Sequence, residues 1–237
     1  MKKQIKIILM VACLSLLLSC TTNGTFVVEN DDSGAFFLDS IMTENLYKTM
    51  TVFGEVDESE NLFSSDLVKS FFSQAGLTLS SVVMENPREI AFIGNSPDIK
   101  AIRGTGAQPV SLVDNGTSKI FTLLLTEETM ETFVSSLSEE SLTYIDLLQA
   151  PLFTREEMSA KEYEEFIAAL YGQKLSDDLR ESFVALEFNI PKVSKEVSVY
   201  PKNLATIKKE DKKILFNIKL SELLANSSEA RFEITWE

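Results

Sequence analysis

The order of hydrophobic and polar residues divides the chain into strand-like ends and a helical middle. Residues 126–184 place apolar side chains at every third or fourth position, which predicts four helices. Apolar and β-prone runs outside that block, several of them alternating with polar residues, predict strands over 26–28, 35–38, 77–84, 89–93, 110–113, 119–126, 186–190, 197–200, 216–220 and 232–236. We therefore predict an α+β domain in which an antiparallel β-sheet, built from N- and C-terminal strands, carries the helical block 126–184 packed on one face.

Local signals predict several boundaries within this pattern. Asn115-Gly116 lies between two apolar runs, which predicts a hairpin with a two-residue turn. Ser159 followed by Glu162 is a capping box at a helix start, and Gly172 ends the same helix.

Three other segments also carry local signals of helix, strand or loop. Residues 43–53 fit either a short helix or a strand. Ser64 or Ser65 caps a predicted amphipathic helix that ends at Gly76. Residues 94–109 are rich in glycine and proline, which indicates a long loop or an internal boundary.

The first residues have the pattern of an export signal. A basic start with Lys2, Lys3 and Lys6 precedes an apolar run over residues 7–18. That run is shorter than the about 20 apolar residues that a transmembrane helix needs. We therefore expect residues 1–19 to be a cleaved signal peptide.

Leu17-Leu18-Ser19-Cys20 follows the apolar run and resembles the lipobox of bacterial lipoproteins closely. The resemblance implies that Cys20 becomes the acylated, palmitate-carrying first residue of the mature protein. The alternative is an ordinary secreted protein with an incidental cysteine.

These signals give a predicted domain organisation. Residues 20–25 form the lipidated cysteine and a short polar tether that reaches at most roughly 17 Å. Residues 26–237 form a single α+β domain, with an internal boundary near 94–109 as the alternative. The folded body is then expected close to the bilayer.

Composition excludes several classes of function. Loss of residues 1–19 removes three lysines and no acid, which leaves 19 basic and 36 acidic residues and a net charge of −17. Nucleic acid is an unsuitable partner for such a chain, because binding depends on basic groups that contact phosphates. The sequence has no histidine, and its two cysteines are Cys13, in the signal, and Cys20. Cys/His zinc sites, Ser-His-Asp triads, Cys-His nucleophiles and disulfides are therefore excluded.

Carboxylates are the main acid–base groups that remain. Paired acids are the pattern of glycoside hydrolysis, but most of these lie in first turns or on polar faces of predicted helices, where acids are ordinary. The candidates are Glu127, Glu128, Glu131, Glu139, Glu140, Glu156, Glu157, Glu162, Glu164, Glu165, Asp177 and Asp178. Solvated helix surface is the favoured interpretation, and we predict no catalytic, cofactor-binding or metal-binding residue, no cofactor and no enzymatic activity.

Two further features allow a functional and a structural interpretation. The many phenylalanines could line a groove for an amphiphile, but their inward positions favour a packed core. The acidic loop 31–34 could be interpreted as a calcium-binding loop. It lacks, however, the alternating Asp/Asn ligands and the closing glutamate of such a loop. A turn is the favoured interpretation.

Motifs in the last third of the chain, taken in order, resemble a group of uncharacterised spirochaete-type lipoproteins. They are an apolar-Ala-Pro helix end at Ala150-Pro151, a Tyr-Gly helix stop at Tyr171-Gly172, Phe188-Asn189-Ile190-Pro191, the segment 218–224 and a closing strand with Trp236. The resemblance covers about the last 95 residues and the signal. It implies an envelope location, and no activity or catalytic residue.

The sequence thus predicts a membrane-anchored envelope lipoprotein, at the outer membrane or on the periplasmic face of a membrane. Its predicted role is non-enzymatic binding of a protein partner or an amphiphile near the membrane. One alternative is a structural or assembly factor without a ligand pocket. A more distant alternative is a carboxylate-based glycan hydrolase.

Overall fold

The computed structural model describes residues 21–54, 65, 69, 77–101, 110–126, 128, 146 and 148–237. The predicted signal peptide, Cys20, most of the helix predicted to end at Gly76 and most of the first two helices predicted after residue 126 lie outside those residues.

The described chain contains strands that form two sheets. Their bounds are β1 Thr21–Val28, β2 Gly34–Ile41, β3 Thr78–Val83, β4 Glu89–Ser96, β5 Val110–Asp114, β6 Lys119–Leu125, β7 Phe183–Asn189, β8 Ser194–Tyr200, β9 Thr206–Glu210, β10 Lys213–Lys219 and β11 Ala230–Trp236. The larger sheet has the order β3-β4-β2-β1-β7-β10-β9, and the smaller has the order β5-β6-β11-β8.

The larger sheet joins the two ends of the chain, as the pattern predicted. Strand β1 pairs antiparallel with β2 on one side and parallel with β7 on the other. The α+β class is confirmed, and two details differ from the expectation. The strands divide between two sheets, and one pairing is parallel.

The two sheets face each other across an aromatic core. The rings of Phe121 and Phe188, from opposite sheets, lie 5.2 Å apart between centroids. Phe216 and Phe232 make a second such contact at 5.3 Å. All four side chains are buried, because each occupies an inward position of an alternating strand.

The helices connect to the larger sheet at one end. They are α1 Glu44–Gly54, α2 Pro151–Thr154, α3 Ala160–Tyr171, α4 Gln173–Glu181 and α5 Leu220–Leu224, with a 3₁₀ turn at Ile99–Ala101. Helix α1 follows β2, α4 precedes β7, and α5 follows β10. The register places Ile41, Thr21, Phe183 and Lys219 side by side, so the strand ends that adjoin these three helices are level with one another. We call this end of the larger sheet the helix end. The turns after β1, β7 and β9 lie at the opposite, turn end.

The predicted tether is part of the fold. Residues 21–25 belong to β1, with partners on both sides, instead of forming a free linker. Thr22 is 0% exposed, and its hydroxyl lies 2.9 Å from that of Ser40 in the core. Short polar residues resemble a linker in composition, but threonine suits a strand when neighbouring strands satisfy its backbone.

Other differences concern local structure. Residues 43–53 adopt the helical alternative, as α1. The β5–β6 connection has four residues instead of two, because Asp114 pairs with Lys119 and Asn115 Oδ1 accepts from the Ser118 amide at 2.8 Å. Pro151 begins the short helix α2 at its first position, where a missing N–H costs nothing.

Candidate functional site

The one predicted site residue, Cys20, lies outside the described residues. Its neighbour Thr21 is the first residue of β1 and is paired with Ile41 and Phe183. Cys20 is therefore attached by a single peptide bond to a central strand of the larger sheet.

Four of the described acidic candidates on α3 and α4 have local structural partners for their carboxylates. Glu162 closes the capping box, and hydrogen bonds from the hydroxyl and backbone N–H of Ser159 lower the pKa of its carboxyl group. Asp177 accepts from Gln173 and pairs with Arg180, and these contacts lower its pKa.

Two more of these acids also contact their surroundings. Asp178 accepts a hydrogen bond from Asn45 at 3.0 Å, which connects α4 to α1. Glu165 lies 3.6 Å from Lys161 one helical turn earlier. These contacts describe helix surface and interhelical packing, and they give no acid and base arranged about a common substrate position.

The acidic loop at the turn end joins three parts of the fold. Asp31 accepts from the Ser33 hydroxyl and amide, which forms a local turn. Asp32 pairs with Lys100 at 2.5 Å and also with Lys119. Hydrogen bonds from both lysines hold the pKa of Asp32 below its ordinary value. Among the described residues, no group of three or more histidines, cysteines, aspartates or glutamates is placed to hold a metal ion.

The described phenylalanines lie mainly in the core. A continuous series of ring contacts runs through Phe92, Phe36, Phe26, Phe188, Phe216 and Phe232. Two ring contacts, Phe121 with Phe188 and Phe216 with Phe232, join the two sheets. Phe37 differs, because its side chain points away from the core and is 41% exposed.

One open cleft of about 400 Å³ lies beside the start of α3. It is lined by Met158, Ser159, Ala160, Lys161, Pro201, Asn203, Leu204, Glu222, Ala225 and Asn226. Ser159 is engaged by Glu162, and the Asn226 amide nitrogen donates to the Ser228 carbonyl at 2.8 Å. These two polar side chains of the cleft wall therefore serve local structure.

A second open cleft of about 400 Å³ lies at the turn end. Lys119 and Asp114 line it. Lys119 is paired with Asp32, and Asp114 accepts from the Gly116 amide at 2.9 Å. These polar groups hold the turns together, which is their evident role.

The outer face of the larger sheet carries an apolar cluster. Phe37 and Ile93 are direct cross-strand partners, and both point outward with 41% and 47% of their surface exposed. Val83 lies on the next strand, outward and exposed, beside Ala91. We call Phe37, Val83 and Ile93 the outer patch. Three exposed large apolar side chains on adjacent strands are typical of an interaction surface.

Sequence reasoning did not identify the outer patch as a site. The feature of the sequence that could have revealed the outer patch is the adjacent pair Phe36-Phe37, because neighbouring residues in a strand point to opposite faces of the sheet. One of the two had to lie outside the core. Only the strand order β3-β4-β2 brings Phe37 beside Ile93 and Val83.

No helix in the described part of the chain is long and apolar enough to cross a membrane.

Comparisons with known proteins assign neither a family nor an activity. No family model matches the chain. No curated protein matches it either. One solved structure is similar over most of both chains, the NMR structure of the folded domain of LppM from Mycobacterium tuberculosis. It covers 91% of this chain and 87% of that chain, with a TM-score of 0.38 and 10% identity, values too low to transfer any property.

Proposed function

We propose that this protein is a lipid-anchored protein of the bacterial envelope that binds a membrane-associated partner protein through the outer patch. The role is binding and not catalysis. The observation that carries the proposal is that the outer patch lies on the same sheet face as Thr21, the residue next to the predicted acylation site.

The anchored location is supported by the first twenty residues. A basic start, a short apolar run and the Leu-Leu-Ser-Cys sequence together direct export and acylation at Cys20. Multiple acyl chains at one residue give stable attachment, which a single chain does not.

A protein partner fits the exposed groups better than an amphiphile does. The described aromatic rings of the core contact one another at centroid distances of 4.9 to 6.5 Å, which favours a filled core over an amphiphile groove. The exposed apolar surface lies instead on the outer face of the larger sheet, where a second protein surface can pack.

The anchor limits where the partner is found. Phe37 lies four residues along β2 from Ile41, the partner of Thr21, which is about 13 Å along the strand. The outer patch is therefore within a short distance of the bilayer surface. Because the mature chain has a charge of −17, the partner is expected to surround its apolar contact with basic residues.

The anchor is tested by Cys20→Ser. We expect the wild-type protein in the membrane fraction with acyl chains on its N-terminal cysteine by mass spectrometry. We expect the variant to remain unprocessed and unacylated. An acyl-free wild-type protein would contradict the anchored location.

The partner site is tested by photo-crosslinking in intact cells. A photoreactive phenylalanine analogue replaces Phe37, and the same analogue replaces Val113, which is 52% exposed on the outer face of the smaller sheet. We expect Phe37, and not Val113, to crosslink to one membrane-associated protein, identified by mass spectrometry. Ile93→Asp should abolish that product, while Val113→Asp should leave it unchanged.

Three other products would each overturn the partner assignment. A crosslink between two copies of this chain would indicate a homodimer. A crosslink to lipid would indicate that the outer patch contacts the bilayer. A crosslink between two segments of the same copy would indicate that the chain covers its own patch. Equal crosslinking at Phe37 and Val113 would also count against a specific site.

A further inference from the structure

We infer that the helix end of the larger sheet is itself a bilayer-contact surface, with Ile41 and Phe183 in the headgroup layer beside Thr21. This inference rests on the acylation of Cys20 proposed above. It goes beyond attachment, because it assigns an orientation and a membrane-contacting surface to the folded protein.

Strand β1 begins directly after the predicted acylation site. Thr22 is fully buried and hydrogen-bonded to Ser40, and β1 is paired from Thr21 onward. Residues 21–25 therefore cannot extend without breaking the centre of the larger sheet. Cys20 and Thr21 have α-carbons about 3.8 Å apart, as in any trans peptide.

Thr21 has an apolar neighbour in each adjacent strand. The register places Ile41 opposite Thr21 in β2 and Phe183 opposite it in β7. Neighbouring strands lie about 4.8 Å apart, so the α-carbons of both residues are within about 9 Å of the α-carbon of Cys20. Each interfacial layer of a bilayer is about 5–7 Å thick. Because the two lengths are comparable, we place these residues in that layer or next to it.

The residues level with Thr21 form a row across five strands of the larger sheet. Across the strands the row reads Glu89, Ile41, Thr21, Phe183 and Lys219. Its three central residues are uncharged and two of them, Ile41 and Phe183, are apolar, with Ile41 40% exposed. The formal charges of Glu89 and Lys219 at its two ends cancel. The row itself therefore carries no net charge in a mature chain of charge −17, so it is repelled less by an anionic headgroup surface than the chain's average surface is. Ile41 and Phe183 gain from leaving water there.

The opposite end of the sheet provides a matched control. Val193 lies in the turn after β7 and is 57% exposed. The last residue of β7, Asn189, is about 20 Å along the strand from Phe183. In the proposed orientation Val193 stays in water while Ile41 contacts the membrane.

The test uses the full mature protein, purified from membranes in detergent and reconstituted into phosphatidylethanolamine and phosphatidylglycerol vesicles. The mature chain has no free thiol when Cys20 is acylated, so Ile41→Cys, Phe183→Cys and Val193→Cys can each be labelled singly with an environment-sensitive fluorophore. We expect blue-shifted emission, quenched by headgroup-labelled nitroxide lipid, at positions 41 and 183. At position 193 we expect emission as in water and no quenching.

The outcomes separate the two proposals. Water-like, unquenched emission at positions 41 and 183 on vesicle-bound protein would overturn the contact surface and leave the anchor intact. A wild-type protein that reacts with the thiol label, or that does not stay with the vesicles, would instead contradict acylation. Quenching at position 193 equal to that at 41 would overturn the orientation.

Discussion

The ring of Phe188 stacks on that of Phe26 at 4.9 Å, across the parallel pair β1–β7. Phe188 also contacts Phe121 of the smaller sheet and Phe216 of β10, and it is 1% exposed. This one side chain therefore connects the N-terminal strand, the C-terminal strands and the facing sheet. We expect Phe188→Ala to lower the free energy of unfolding by about 3–5 kcal/mol, because it removes apolar burial and leaves a cavity.

Urea denaturation followed by circular dichroism measures this loss. Phe37→Ala is the matched control, because it removes the same ring from an outward position and should cost less than about 1 kcal/mol. Similar losses for the two variants would show that Phe188 is not at the centre of the core.

Gly94 is required by the close approach of Phe36. A Cβ at position 94 would lie 2.3 Å from Phe36 Cζ and 2.9 Å from Leu79 Cδ2. Because Phe36 is packed against Phe26 and Phe92, it has little room to move. We expect Gly94→Ala to destabilise the protein by about 1–3 kcal/mol through overpacking.

A double-mutant cycle isolates this contact. If the clash with Phe36 causes the loss, Phe36→Leu combined with Gly94→Ala should cost less than the sum of the two single changes, measured as free energies of unfolding. Additive losses would point to a backbone effect of Gly94 instead.

The Ser159 capping box gives a third test. Ser159 Oγ accepts from the Glu162 amide at 3.3 Å, and Glu162 Oε2 accepts from the Ser159 amide at 2.8 Å. We expect Ser159→Ala to cost about 1 kcal/mol of stability, since it leaves a first-turn amide without its acceptor. Ser159→Asp retains an acceptor and should recover most of the loss in thermal unfolding, and an equal loss would rule out capping as the cause.

The sequence predicted those elements whose signals are local. The capping box at Ser159, the stop at Gly172 and the inward alternation of Leu186, Phe188 and Ile190 all correspond to the structure. Strand β9 was not predicted, because residues 206–210 are mostly exposed and rich in lysine and lack inward alternation. Its strand state follows from pairing with β10, which is a tertiary contact.

Pairing between distant segments explains the remaining differences. Nothing local in Thr21-Thr22-Asn23-Gly24-Thr25 distinguishes a linker from a strand, and β7, some 160 residues later, provides one of its two neighbours. The outer patch is likewise an assembly of three strands. Both the patch and the bilayer-contact row depend on strand order, which single-sequence patterns do not contain.

The ion pairs of Asp32 at the turn end should make the stability of the protein depend on pH. Its side chain is 16% exposed and pairs with Lys100 and Lys119, whose hydrogen bonds lower its pKa below the ordinary value of 3.8. A lowered folded-state pKa means that the unfolded chain takes up the proton first as the pH falls. The stabilisation is therefore fully present above the ordinary pKa, and it is lost as the pH falls from about 4 through the lower folded-state pKa.

Asp32→Asn removes both ion pairs, and we expect it to lower the free energy of unfolding by about 1–2 kcal/mol at pH 7. This loss is smaller than for a fully buried ion pair, because solvent screens the charges. The difference in melting temperature between wild type and variant should be largest at neutral pH and shrink below pH 4. Glu29→Gln, in the same turn, removes one acidic charge without touching either lysine pair and is the control. If the difference in melting temperature between wild type and Asp32→Asn increased as the pH fell, the assigned direction of the pKa shift would be wrong. If Glu29→Gln lost as much stability as Asp32→Asn, the effect would come from overall charge and not from the two lysines.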